Sequence, residues 1–230
     1  MKLYVVPTPI GNLKDITLRA IEVLSRVECI ICEDTRKTNI LLSHYNIKGK
    51  KLIPYFAPKE EKKLPYILNL LKKHDCALVS DSGMPAILDP GYKLIKKAIE
   101  KKIPVEVLPG PSAFLTSIVG SGLPCFRFLF LGFLPKKGLE NFLKKYKDFD
   151  FTIVFYESPK RISKVLNLID EIFGNVYFVI AREISKIHEE YLRGNVKDLL
   201  KMLKEKKIKG ELTCVFNPKF YSLNSDNLCM

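Results

Sequence analysis

Histidine is scarce in this chain: His44, His74 and His188 lie far apart, each among polar neighbours, so no imidazole cluster of metal-site spacing is present. Cysteines stand at 29, 32, 76, 125, 214 and 229, but no second CxxC and no nearby histidine joins Cys29 and Cys32 in a zinc set. Most of them sit in strand-like runs, which reads as core thiols in a reducing, cytoplasmic compartment and not as a disulfide scaffold. Long apolar runs are missing as well. Met1 to Val6 run into Pro7 and Pro9 before reaching signal-peptide length, and no segment approaches the roughly 18 uninterrupted apolar residues of a membrane span. No GxGxxG follows the first strand, and neither GxxxxGK[ST] nor GxSxG occurs. A dinucleotide fold, a P-loop and a serine nucleophile elbow are therefore unsupported.

Acidic residues are also few. Asp and Glu number 25 against 38 Lys and Arg, a formal charge of +13 with a pI near 9.4. Such an excess attracts polyanions, whether RNA, DNA or an acidic membrane surface; alternatively it reflects compositional bias, with the lysines forming solvated faces. The 230 residues, 47% hydrophobic and 27% charged, can bury one large core or two smaller ones.

The hydrophobic pattern alternates short β-branched runs with helical periods through the first half of the chain. Strands are expected at Leu3–Val6, Cys29–Cys32, Leu52–Phe56, Ala77–Ser80 and Val105–Leu108. Between them lie a helix capped by Asp15, one carrying Ile40, Leu41 and Leu42, and one over Leu64–Lys73 preceded by a charged, mobile segment at Lys59–Lys63. A parallel sheet with right-handed crossovers follows from that cadence. A Gly-rich bend at Gly120–Pro124 suggests a boundary, giving domains at 1–122 and 123–218 with a frayed tail at 219–230. The second half reads as strands at Phe126–Phe133, Phe151–Tyr156, Val176–Ala181, Ile187–Leu192 and Glu211–Phe216, with helices between, one of them capped by Asn195.

The stretch Ala77–Gly91, ALVSDSGMPAILDPG, concentrates the polar equipment. A buried strand ends in Asp81-Ser82-Gly83, Pro85 stops it, and Asp89-Pro90 reads as the cap and first position of the next helix. Loops leaving the carboxyl ends of parallel strands line ligand crevices in open α/β sheets. From its residues alone this one is either such a loop or a plain turn. With Pro7–Asn12 and Pro109–Ser112 it makes a set of backbone-exposing loops suited to a small zwitterionic, partly apolar cofactor.

Eight motifs in order then carry a resemblance: VPTPIGNLKD, EDTRKT, SDSGMPAILDPG, LPGPSA, FLPKK, FYESPKR, AREISKIHEEYLRG and KGE. Over residues 3 to 216 the chain resembles the ribosomal RNA small subunit methyltransferase I family of the tetrapyrrole-methylase-like (class III) superfamily, which depends on S-adenosylmethionine (SAM). The resemblance implies an α/β fold of two domains. The first holds a largely parallel sheet flanked by helices and the second a mixed sheet with helices, SAM lies in the cleft between them, and a homodimer is common. It implies methyl transfer to the ribose 2′-hydroxyl of a cytidine in the decoding centre of 16S rRNA, with the rRNA or the 30S subunit as partner and no membrane. By motif, Ile10, Asp81, Met84, Ser112 and Ala113 fall where the superfamily's first domain holds the cofactor, and Tyr156 and Leu212 are looser candidates in the second. Met84 replaces a usual threonine, Leu88 a common small polar residue, and GLENFLKKY the arginine-rich run that often follows FLP.

Transfer from a sulfonium needs the acceptor oxygen held in line, with a carboxylate or water to take its proton. Glu33, Asp34, Glu157 and Glu183 stand at predicted strand ends, Asp34 and Glu183 being the leading catalytic candidates. Their structural alternative is ion pairing with Arg36 or Arg182. Glu33, Arg36, Arg161, Arg182 and Lys209 are the substrate-side candidates, arginine gripping phosphate bidentately. Two other functions stay open: a tetrapyrrole methylase, which would gain nothing from +13, and a non-catalytic RNA-binding α/β protein using aromatic and basic residues between Phe126 and Lys137. Core packing is the plainer account of those phenylalanines.

Overall fold

The computed structural model describes residues 1–222. The chain divides into two compact units, 1–112 and the residues from Ala113 onward. The first unit contains β1 (Leu3–Val6), α1 (Leu18–Arg26), β2 (Cys29–Cys32), α2 (Thr35–His44), β3 (Lys51–Pro54), α3 (Glu60–Leu70), β4 (Cys76–Val79), α4 (Tyr92–Glu100) and β5 (Val105–Val107).

Every residue of β1, β2 and β4 is buried, because these strands are covered on both faces. The two-residue alternation sends Tyr4, Val6, Ile30 and Val79 to one face, where they meet Val23, Leu24, Leu41 and Leu42 of α1 and α2. Leu3, Ile31, Cys76 and Leu78 go to the other, against Ile67, Leu68, Leu94 and Ala98 of α3 and α4. Each fully buried Leu, Ile or Val stabilises the unit by about 1.5–3 kcal/mol. The strands run in the order β3-β2-β4-β1-β5, all parallel, so the carboxyl ends at Val6, Cys32, Val79 and Val107 share one edge.

The second unit contains α5 (Ala113–Ser121), β6 (Phe128–Phe133), α6 (Leu139–Lys144), β7 (Thr152–Glu157), α7 (Ile162–Phe173), β8 (Tyr177–Arg182), β9 (Glu190–Asn195), α8 (Val196–Glu205) and β10 (Leu212–Phe216). Its sheet runs β6-β7-β10-β8-β9, with β6 and β7 parallel and the other pairs antiparallel, a mixed sheet as expected. Phe155, Phe178 and Phe216 pack on one face with Val165, Ile169 and Leu199 of α7 and α8. On the other, Val154, Val179 and Val215 meet Ile118 of α5. The bend at Gly120–Pro124 thus falls within the second unit, at the carboxyl end of its first helix.

Several local expectations give way to competing interactions. Thr17, not Asp15, caps α1, its Oγ1 accepting from Ala20 N–H at 3.1 Å. Lys59–Lys63 is not a loose segment: α3 starts at Glu60, whose buried carboxylate accepts from Gly91 N–H at 3.0 Å. That same bond places the start of α4 at Tyr92, so Asp89 is no helix cap. Asn195 is the N-cap residue of α8 as expected, but its side chain makes no capping bond, its Nδ2 donating instead to the carbonyls of Asn175 and Tyr221 at 2.7 and 2.8 Å. With the Tyr177 N–H donating to Phe220 O, the chain is tied down through Tyr221. The rest of the expected frayed tail, residues 223–230, lies outside the described residues. Cys29, Cys32, Cys76 and Cys214 are free and buried, which fits core thiols.

Candidate active site

At the carboxyl edge of the parallel sheet, the loops after β1, β2, β4 and β5 are fastened to one another. Thr8 and Gly83 exchange two backbone hydrogen bonds of 3.0 Å. Thr8 Oγ1 donates to Ser80 O at 3.1 Å, and Ser80 Oγ donates to Gly83 O at 2.9 Å. The loops approach so closely that a Cβ on Gly110 would lie 2.8 Å from Pro7, and one on Gly83 would lie 3.3 Å from Ile10 Cγ2 and 3.7 Å from Pro111 O. The three backbone-exposing loops singled out in the sequence therefore meet, with Ile10 against Gly83.

Asp81 joins the β2 loop to this group. Its Oδ1 accepts from Asp34 N–H at 3.0 Å, and its Oδ2 pairs with Lys37 Nζ at 2.9 Å. Two more carboxyl groups face it. Burial, with the Asp81 charge behind it, raises the proton affinity of Glu33. Asp89 is pushed up to about 6, by burial first and then by the charges of Glu33 and Asp81, with Lys37 opposing. Asp34 is in the opposite situation. It caps α2, accepting from Arg36 N–H at 2.8 Å, and its oxygens take Nε and Nη2 of the Arg36 guanidinium at 3.0 and 2.6 Å. That clasp holds its carboxyl down at about 2. A cavity of about 200 Å³ opens beside the group, lined by Thr8, Pro9, Lys37, Thr38, Ser80 and Asp81 among others.

The rest of the Asp81 loop is conformationally taut. Met84 is half-buried and its carbonyl accepts weakly from Ile87 N–H, at 3.4 Å. Ala86 and the exposed Leu88 both adopt positive φ, 68° and 64°, a conformation costly for side-chain-bearing residues. Ser112 is buried at the end of the first unit, and Ala113 opens α5.

The remaining candidates lie in the second unit. Register places Leu212 opposite both Glu157 and Arg182, and Thr213 opposite Tyr156, so these strand-end residues share one border of the mixed sheet. Leu212 itself is buried. Tyr156 packs edge-on against Phe130 and Phe133, with ring centroids 5.2 and 5.5 Å away. Arg161 donates to the carbonyls of Leu134 and Pro135 at 3.2 and 3.0 Å and lies 3.4 Å from the buried Glu157 carboxylate, so its fork is already engaged. Arg182 is engaged likewise, with Glu190 at 3.0 Å and Lys209 O at 3.2 Å. Glu183 accepts from Glu211 N–H at 2.8 Å and pairs with Lys186 at 3.0 Å; the backbone donor foremost, then Lys186, lowers its proton affinity. Arg36 and Lys209 remain exposed.

Sequence reasoning missed two members of the Asp81 group. Lys37 stands one residue beyond Arg36 in the EDTRKT motif, on the turn of α2 that faces Asp81. Asp89 was obscured by its resemblance to a helix cap, and only its position in the same loop as Asp81 signals a shared environment. Among the described residues no cluster of three or more metal-ligating side chains occurs, and no helix is long and apolar enough to cross a membrane.

The residues from 2 to 200 match the family model of the Tetrapyrrole (Corrin/Porphyrin) Methylases. A Hydrogenobaculum protein named ribosomal RNA small subunit methyltransferase I is 54% identical, over 94% of this chain and 96% of its own length. A Thermotoga maritima protein of the same name is 44% identical over 95% and 99%. The crystal structure of diphthine synthase superposes with a TM-score of 0.75 over 96% of this chain and 91% of that one, at 15% identity, a likeness of fold alone.

Proposed function

The chain belongs to the tetrapyrrole (corrin/porphyrin) methylase family, and from that premise we propose that it transfers a methyl group from SAM to the ribose 2′-hydroxyl of a cytidine in the decoding centre of 16S rRNA. The observation that carries this reading is the 54% identity, over nearly the full length of both chains, to a relative named for rRNA methylation. The charge of the chain supports it, since a +13 protein suits an rRNA or 30S partner.

The residues present fit a cationic cofactor. In a strongly basic chain, the parallel-sheet edge gathers Glu33, Asp81 and Asp89 near the ammonium of Lys37. Asp81 is proposed to hold SAM, joined by main-chain groups near Ile10, Met84, Ser112 and Ala113, and by Tyr156 and Leu212 on motif position alone. SAM, when bound, supplies the electrophilic methyl group. The protein's part is to fix the ribose oxygen in line, exclude water and accept a proton. Asp34 is poorly matched to proton uptake near neutrality while Arg36 clasps it, and Glu183 is similarly committed to Glu211 and Lys186. Their proposed roles are therefore electrostatic: Asp34 fixes Arg36 at the entrance to α2, and Glu183 fixes the segment before β10. Arg36 and Lys209 are the proposed phosphate contacts, while Arg182 braces the backbone at Lys209 and Arg161 the backbone at Leu134 and Pro135. The same reading places the enzyme in the cytoplasm as a homodimer, which sedimentation of the purified chain checks.

Incubation of the protein with methyl-labelled SAM and 30S subunits lacking the modification tests the proposal. Label on one cytidine ribose is expected. Label that appears only on a porphyrinoid refutes it.

A further inference from the structure

The phenylalanines of β6 are not all core residues. Phe128 is 41% exposed and Phe133 64%, and Phe126, just before the strand, is 61% exposed. Phe128 and Phe133 end a continuous row of rings: Phe128 lies 6.4 Å from Phe114, which stacks on Phe130 at 4.4 Å and 14°, which meets Tyr156 at 5.2 Å, which meets Phe133 at 5.5 Å. β6 is an edge strand, and at Gly132, φ +64°, its register with β7 shifts between Phe130 and Phe133. Cations flank the row. Arg127 lies over the Phe126 ring at 5.8 Å, and Lys136 and Lys137 follow the strand, all three exposed and without a carboxylate partner among the described residues. A bulge and lysines are common devices for blunting an edge strand, but exposed phenylalanines work against that purpose. A second copy of the chain laid symmetrically on this face would bring like charges together.

Bases that stack on exposed rings while their phosphates meet unpaired cations satisfy both features. We propose that the β6 edge is a platform for single-stranded RNA, with bases stacking on Phe128 and Phe133 and phosphates contacting Arg127, Lys136 and Lys137. This rests on the RNA reading above and names the surface that grips the strand.

The test uses the full chain, a short fluorescein-labelled single-stranded RNA and fluorescence anisotropy across a salt series. Phe128→Ala and Phe133→Ala each weaken binding about 5- to 150-fold. Phe133→Leu, which keeps an apolar side chain but removes the ring, also weakens it. Replacing Arg127, Lys136 or Lys137 with Gln lowers the magnitude of the log–log salt slope by about 0.7 for each phosphate no longer neutralised. Wild-type affinity in the phenylalanine variants, with native circular dichroism, overturns the proposal. So does wild-type RNA affinity accompanied by a loss of dimer in sedimentation, which would assign the face to a second copy. If wild type binds this RNA through the platform but labels no 30S ribose, the methyltransferase reading falls and the platform stands. If it labels the ribose while the variants bind like wild type, only the platform falls.

Discussion

Asp89→Asn should stabilise the protein at alkaline pH and do little in acid. The carboxyl sits beside Glu33 and Asp81, half-buried, and its folded-state value is raised from an ordinary 3.8 to about 6. Between those values the folded chain binds more protons at this site than the unfolded chain, so the site's contribution falls as pH rises. Above about 6 the folded protein carries a charge that its surroundings disfavour. At about 1.4 kcal/mol per pH unit, the ceiling on that cost is about 3 kcal/mol. Solvent screening at a half-buried group reduces it to about 1–2 kcal/mol. An amide keeps the shape and carries no charge, so the variant should melt about 2–8 °C higher than wild type at pH 8, at about 2–4 °C per kcal/mol. At pH 3.5 the two proteins should melt together. Taking the difference between variant and wild type removes the opposing influence of carboxylates whose proton affinity is lowered, such as Asp34, Glu106 and Glu190, which weaken the fold as acid protonates them. The assay is thermal unfolding followed by circular dichroism at the two pH values. An equal shift at both, or none at pH 8, would refute the carboxylate-group argument.

Three further outcomes are expected. Asp81→Ala should weaken SAM binding about 10- to 150-fold in isothermal titration, the range for losing a hydrogen bond to a charged group; unchanged affinity places the cofactor elsewhere. Gly210→Ala should destabilise by about 2–4 kcal/mol in urea unfolding, because its φ is +96° and a Cβ there would lie 2.5 Å from Glu183 Cδ; a loss under about 1 kcal/mol contradicts the geometry. Arg161→Ala should cost about 3–5 kcal/mol of stability, because it strands the buried Glu157 carboxylate; normal stability with weakened RNA binding would instead make Arg161 a phosphate ligand.

The fold was legible where pattern and burial agree. Runs such as CIIC and CALV announce strands covered on both faces, and the βα cadence around them dictates a parallel sheet. Boundaries were less legible because they depend on tertiary partners. The start of α4 is set by a carboxylate on α3, and the side chain of Asn195 is drawn off by two distant carbonyls. At the site, Asp81 stood out in the sequence as a carboxylate in a Gly- and Pro-rich loop at a strand end, and the structure joins it to Asp34 N–H and to Lys37. The engagement of Arg161 and Arg182 was not legible, since a guanidinium that supports a neighbouring loop and one that grips phosphate look identical in sequence. The exposure of Phe128 and Phe133 was hidden for a similar reason: an aromatic strand reads as core until its position at the sheet edge is known.

The paired hydrogen bonds between Thr8 and Gly83 bear on the thermodynamics of any guest at the parallel-sheet edge. Loops already bonded to each other lose little conformational freedom on association, so the entropic penalty of ordering them is largely absent. The heat-capacity change on binding should then scale with the apolar surface the guest itself covers, with no extra contribution from a folding loop.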